Sequence, residues 1–161
     1  MTNKIINNSI DSDIFQGDNS LICAGAVIQN DVIIGSNTII GPQCVIESGT
    51  KIGDNVTLQP FCVIARDTII QDNVFIGPHF SCANDKYIQD GEHGNSPNKK
   101  PFEAHNIIIK KGARIGTRCS VAPGVIIGEN CFIKMCCFIK KDVPDGMVIL
   151  SNSVYPDDYE L

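Results

Sequence analysis

Three histidines, His79, His93 and His105, fall within 27 consecutive positions of a 161-residue chain. Imidazole titrates near neutral pH and is the usual general base there. Close to the first stands Asn84-Asp85-Lys86-Tyr87, which gathers an amide, a carboxylate, an ammonium and a phenol at one point of the chain. A long segment carrying such a run suits a polar ligand, although surface solvation accounts for each residue singly. Seven of the 13 Lys and Arg residues lie between Lys110 and Lys141: Lys110, Lys111, Arg114, Arg118, Lys134, Lys140 and Lys141. Phosphate groups are held by cations of this kind. The histidines follow one another at intervals of 14 and 12, and no two cysteines have Cys-x-x-Cys spacing. Neither is a zinc pattern, and no metal is expected.

The elements that must position these groups follow a period of six. Stepping by six from Ile22 meets Ile28, Ile34, Ile40, Ile46, Ile52, Leu58, Ile64, Ile70 and Ile76 without exception. The residue four places later is small or β-branched in nine of ten cases, from Ala26 to Val74. The ladder lapses near Cys82 and resumes at Ile109, Ile115, Val121, Ile127, Ile133 and Ile139. The interval of 33 from Ile76 to Ile109 is no multiple of six, so about 83–108 is read as an inserted loop. The chain is then one domain, 1–161, with coils at about 22–82 and 109–144 and a tail at 145–161.

Each hexad supplies a short strand, favoured by β-branched residues, and a corner of Gly, Asn or Asp. Three hexads close one coil, and stacked coils pair as parallel strands. Cys44, Cys62, Cys119, Cys131 and Cys137 occupy the small inward slot and are read as reduced core residues. His79 falls at a turn and is expected to point outward. The period does not fix the hand of coiling, since parallel crossovers are normally right-handed.

Composition removes several functions. The net charge of −5 argues against a partner of nucleic acid or anionic membrane, either of which needs a basic face. No apolar run approaches the ~18 residues of a spanning helix, so no membrane insertion is expected. The first residues lack the order of a signal peptide, and a cytoplasmic protein is expected.

The ladder, Val121-Ala122-Pro123-Gly124-Val125 and Lys140-Lys141-Asp142-Val143-Pro144 resemble the hexapeptide acyltransferases. Gly77-Pro78, Ala83-Asn84-Asp85-Lys86-Tyr87 and the run from Ile108 to Gly116 are most similar to bacterial N-acetyltransferases of nucleotide-linked amino sugars. That resemblance implies an all-β, left-handed parallel β-helix, a homotrimer with sites in grooves between neighbours, and a role in making surface-polysaccharide precursors. It implies acetyl-CoA as co-substrate and a nucleotide-linked amino sugar as acceptor. Asn84 would hold the amine or carbonyl, with His79 the first choice of base. Asp85, Lys86 and Tyr87 would contact the sugar nucleotide. Arg114, Ala122, Lys134, Lys140 and Lys141 would line the path of coenzyme A, with its pantetheine arm along the edge shared by Ala122 and Lys140.

The family usually has small residues where this chain has Lys134-Met135-Cys136-Cys137-Phe138, and a different turn where it has Leu150-Ser151-Asn152-Ser153-Val154-Tyr155-Pro156. Bulk there is expected to alter the pantetheine path. O-acetylation of a sugar or small alcohol, and a β-helical scaffold without activity, remain as alternatives.

Overall fold

The backbone advances by one strand spacing for every three corners, because each hexad contributes two extended residues and then turns. The structure, a computed structural model, describes residues 4–5, 9–10, 14–86 and 105–150. Among them are 21 two-residue strands in three parallel sheets of eight, seven and six strands. These sheets are the faces of a prism. Face A contains Phe75–Ile76 and Arg114–Ile115, face B contains Ser81–Cys82 and Ser120–Val121, and face C contains Ile69–Ile70 and Ile108–Ile109. The chain visits them in the order A, B, C, leaving three edges, A–B, B–C and C–A.

Partners in successive coils differ by 18 in sequence number, as in Leu58 with Ile40 and Ile64 with Ile46. The second residue of each strand points inward, so Ile22, Ile40, Leu58, Ile76, Ile115 and Ile133 form one buried column. Burying each such side chain is worth about 1.5–3 kcal/mol. The slot after each corner holds Ala26, Cys44, Val56, Cys62, Val74 and their equivalents, also buried. Where that slot is Thr, a backbone carbonyl takes the hydroxyl proton: Thr38 Oγ1 donates to Gly53 O at 2.8 Å.

Corners need one residue with positive φ, which Asn, Asp and Gly tolerate best. The C–A edge uses Asn19, Asn37, Asn55, Asn73 and Asn130 there, and the B–C edge uses Asp31, Gly49, Asp67 and Gly124. The A–B edge departs from this rule with Gln43, Phe61, His79, Arg118 and Cys136. Glycines beside the corners are steric necessities. A Cβ on Gly116 would lie 2.6 Å from the backbone nitrogen of Met135 in the next coil.

Paired strands extend past the aliphatic ladder at both ends. Phe15–Gln16 pairs with Ile33–Ile34, and it escapes the pattern because Gln16 fills an aliphatic position, its amide donating to Ser20 O at 3.2 Å. Val148–Ile149 pairs with Phe132–Ile133, inside the segment read as tail. Ile149 follows Ile133 at an interval of 16 instead of 18, so a period of six steps over it.

The insertion can be measured from the register. Ile70 pairs with Ile109, 39 positions on, against 18 for an uninterrupted coil, so a stretch of 21 is looped out of the B–C edge. The loop closes at its base, where His105 N–H donates to Asn84 O at 3.3 Å. Re-entry comes at Ile107, which is fully buried in the slot of Thr68 and Val125.

Candidate active site

Ladder arithmetic turns the insertion into a site. Asn84 and His105 are separated by that same interval of 21, so both occupy one corner position and form the loop's neck. Asn84 and Asp85 are half-buried and Lys86 is exposed. Tyr87 and His93 lie outside the described residues.

Directly beneath the neck runs the turn Ala122-Pro123-Gly124. Gly124 N–H donates to His105 O at 3.1 Å. A Cβ on Gly124 would come within 3.3 Å of His105 Cβ, and its φ of 77° is one that side chains rarely adopt. One coil further down the same edge lies Lys140-Lys141-Asp142. Both lysines are exposed, and Asp142 Oδ1 accepts the Ile126 N–H at 2.8 Å, tying the turn to face C. Ala122 and Lys140 therefore share an edge as expected. Ala122 N–H is already given to Ile139 O at 2.9 Å, so this position offers a ligand a small side chain and no donor.

His79 is elsewhere. It sits on the A–B edge with φ 59°, exposed, its ring stacked on Phe61 at 4.8 Å between centroids and 7° between planes. Face B separates it from Asn84 within one chain. His105 is the imidazole that shares the corner with Asn84. The sequence did contain a signal for this, because the loop length alone aligns the two neck residues.

The five residues expected along coenzyme A also divide. Ala122, Lys140 and Lys141 lie together on the B–C edge. Lys134 is exposed on the A–B edge. Arg114 is on face A, where its Nη1 donates to the carbonyls of Asn73, Gly112 and Ala113, the last two at 3.2 Å. It borders a shallow recess of about 200 Å³ with Asn55, Thr57, Asn73, Val74 and Phe75. Three carbonyls on one nitrogen make Arg114 a brace for the C–A corner before it is a phosphate ligand.

Most of the bulky run Lys134–Phe138 lies on other parts of the prism than the Ala122–Lys140 edge. Met135 and Cys136 project from the A–B edge, Phe138 projects from face B, and only Cys137 points into the core. Of the bulky run, Phe138 comes nearest the B–C edge, its ring centre 5.7 Å from Lys140 Nζ.

The buried Cys62, Cys82 and Cys119 are no nucleophiles here. Burial pushes the Cys82 and Cys119 thiols up to about 11, and Cys62 is raised by its hydrogen bond with Cys44 and by burial. These thiols are protonated at neutral pH and face other core atoms. Among the described residues, no three His, Cys, Asp or Glu side chains are grouped to hold a metal ion. No helix among them is long and apolar enough to cross a membrane.

The model of the bacterial transferase hexapeptide, six repeats, matches residues 17–48, 49–79 and 106–141, all but the ends and the insertion. The chain belongs to the bacterial hexapeptide transferase family. The prism is accordingly its left-handed β-helix. No curated protein sequence matches this hexapeptide transferase. Among solved structures it is similar to a point mutant of AntD, an N-acyltransferase from Bacillus cereus, in complex with dTDP and coenzyme A. The two share 22% identity at a TM-score of 0.73, over 84% of this chain and 77% of that one. It is also similar to the UDP-N-acetylglucosamine acyltransferase of Francisella novicida, with 21% identity, a TM-score of 0.64, and coverage of 88% and 53%. WeeI of Acinetobacter baumannii gives 21%, 0.59, 91% and 53%. This hexapeptide transferase spans about half the length of the last two. At such identities the likeness is one of fold. Two of the three are acyltransferases by name.

Proposed function

We propose that this hexapeptide transferase moves an acetyl group from acetyl-CoA to the amino group of a nucleotide-linked amino sugar, at the B–C edge beneath the insertion. The observation that carries this reading is the vertical order of one edge: Asn84 and His105 at the loop neck, the Ala122–Gly124 turn below, and Lys140-Lys141 below that. The order matches the parts of the reaction. Cations at the bottom suit the coenzyme's phosphates, the small turn suits a narrow arm, and polar groups at the neck suit the acceptor.

In this reading the neutral amine attacks the thioester carbonyl, the tetrahedral intermediate forms, and the C–S bond breaks to release coenzyme A thiolate. The amine's proton passes to an imidazole and from there to the leaving sulfur. Asn84 orients the amine or stabilises the oxyanion, a task worth about a hundredfold or more in rate. Asp85 and Lys86, next along the neck, contact the sugar nucleotide, with Tyr87 following them in sequence. A homotrimer supplies the remaining parts. The outward strand residues Ile39, Val63 and Ile33 leave all three faces partly apolar, which favours packing of copies. The A–B edge of a neighbour, with His79 and Lys134, then completes the groove. AntD, named as an N-acyltransferase and crystallised with dTDP and coenzyme A, supports the substrate class. Cytoplasmic pools of both substrates fit such a protein.

His105 at the neck favours one second reading, transfer to a hydroxyl, because an alcohol needs a base more than a neutral amine does. The deciding experiment follows coenzyme A thiol release from acetyl-CoA with nucleotide-linked amino sugars, their N-blocked forms and simple sugars. Release that requires the free amine supports the proposal. Release with the N-blocked compounds transfers support to the hydroxyl reading, and none with any acceptor removes both.

A further inference from the structure

Three successive corners of the A–B edge are built alike, from Pro42-Gln43, Pro60-Phe61 and Pro78-His79. Each proline carbonyl is taken by the corner one coil on. Phe61 N–H donates to Pro42 O at 3.1 Å, His79 N–H to Pro60 O at 3.0 Å, and Arg118 N–H to Pro78 O at 2.9 Å. The residue after each proline has positive φ, 57° at Gln43, 64° at Phe61 and 59° at His79. Gly and Asn are the ordinary occupants of such a position, and a bulky ring there is an outlier. The C–A edge shows that Asn serves the same coil geometry. Phe61 is thus not required by the fold, and strain of this kind collects at ligand sites.

The strained corners hold an aromatic platform. Phe61 and His79 stack in parallel, and 44% of the Phe61 surface is open. The Gln43 side chain is directed toward Gly25, where an added Cβ would lie 3.1 Å from Gln43 Cγ. Arg118, at the next corner below His79, is exposed. Open rings beside a cation suit a planar base that carries phosphates.

Height along the prism selects which nucleotide. His79 and Asn84 flank the same strand, Ser81–Cys82, and Phe61 is one coil nearer the N-terminus. Lys134 and Lys140 flank Phe138–Ile139, two coils nearer the C-terminus. A trimer about an axis along the prism keeps these heights. A neighbour's aromatic pair then stands beside the acceptor's neck and away from the coenzyme lysines.

We infer that Phe61, backed by His79, is the stacking surface for the base of the acceptor's nucleotide. This rests on the acceptor and trimer of the proposed function, and it names the residue that holds the base.

The test is calorimetric titration of the full chain with uridine, thymidine and guanosine diphosphates, and separately with acetyl-CoA. The chain is expected to bind at least one of the three diphosphates. Phe61→Asn should weaken that binding about tenfold or more and leave acetyl-CoA affinity unchanged. Its thermal midpoint should hold, because Asn accepts this backbone. Phe61→Tyr, which keeps a ring, should retain the affinity. Equal diphosphate affinity in Phe61→Asn overturns the inference. Loss of acetyl-CoA affinity with diphosphate binding kept overturns it too, because the ring then serves the coenzyme's adenine. If no diphosphate binds while amino-sugar acceptors still release coenzyme A thiol, the inference fails alone. If that release is absent as well, the proposed function fails with it.

Discussion

The coils at 14–86 and those at 105–150 share a core and differ in charge. In the first, seven acidic residues face three basic ones; in the second, seven basic residues face three acidic ones. Inward positions are the same in both, Ile with a small partner, and coils stack in one register. Corners of the first stack bind themselves together with carboxylates: Asp54 Oδ1 accepts Ser36 N–H at 2.7 Å and Asp72 Oδ1 accepts Asp54 N–H at 2.9 Å. Corners of the second keep two such ties, at Asp142 and Asp145, and otherwise project Lys and Arg. A β-helix separates the two tasks cleanly, because the inward column makes the fold and leaves the outward residues free to vary. The insertion emerges at the seam where acidic coils give way to basic ones, and the proposed acceptor and donor positions meet there.

The largest effects should be blind to this difference. Ile40→Ala in the first stack and Ile133→Ala in the second should each lose about 2–5 kcal/mol in denaturant titration. A much smaller loss in one stack would show that the columns are not equivalent. Gly116→Ala comes next. Its Cβ would meet backbone 2.6 Å away, and about 1–3 kcal/mol should be lost.

Functional substitutions should sharpen the contrast. Asn84→Ala should lower turnover about a hundredfold while coenzyme affinity and thermal midpoint hold. Unchanged turnover removes Asn84 from the site. Replacing Lys51, a cation of the first stack, should leave coenzyme affinity as it was.

The smallest effects are ionic. The Cys82 and Cys119 thiols, raised by burial from the ordinary 9.0 to about 11, contribute stability that is complete below pH 9. That contribution is lost as pH rises from 9 through the native values, so the thermal midpoint should fall across this range. Asp145 shows the opposite sign. The Glu129 N–H and then Lys110 hold its carboxyl below the usual 3.8. Its stabilisation is present above pH 3.8 and lost as pH falls through the lowered native value. Asp145→Asn should therefore differ from wild type at pH 7 and converge with it in acid.

Much of the fold was legible because the inward column repeats without exception from Ile22 to Ile76. The ends were not, since Gln16 breaks the column by composition and Ile149 by spacing. The site was half legible. Ala122 with Lys140 followed from a step of three hexads, and Asn84 from its place at the loop. His79 was named for its imidazole and its outward turn position, and within one chain the fold puts it on the A–B edge, a face away from Asn84. His105 went unassigned because its alignment with Asn84 emerges only when two hexads are subtracted from the interval of 33 to leave a loop of 21. Net charge does not show the axis along which the sign reverses.

The central claim is that the basic end of the B–C edge holds coenzyme A. Calorimetric titration of the chain with acetyl-CoA tests it most directly, with the Lys140→Ala/Lys141→Ala variant as comparison. The account predicts micromolar binding by the chain and roughly tenfold weaker binding by the variant, about 1.4 kcal/mol. No binding by the chain, or equal binding by the variant, would contradict it.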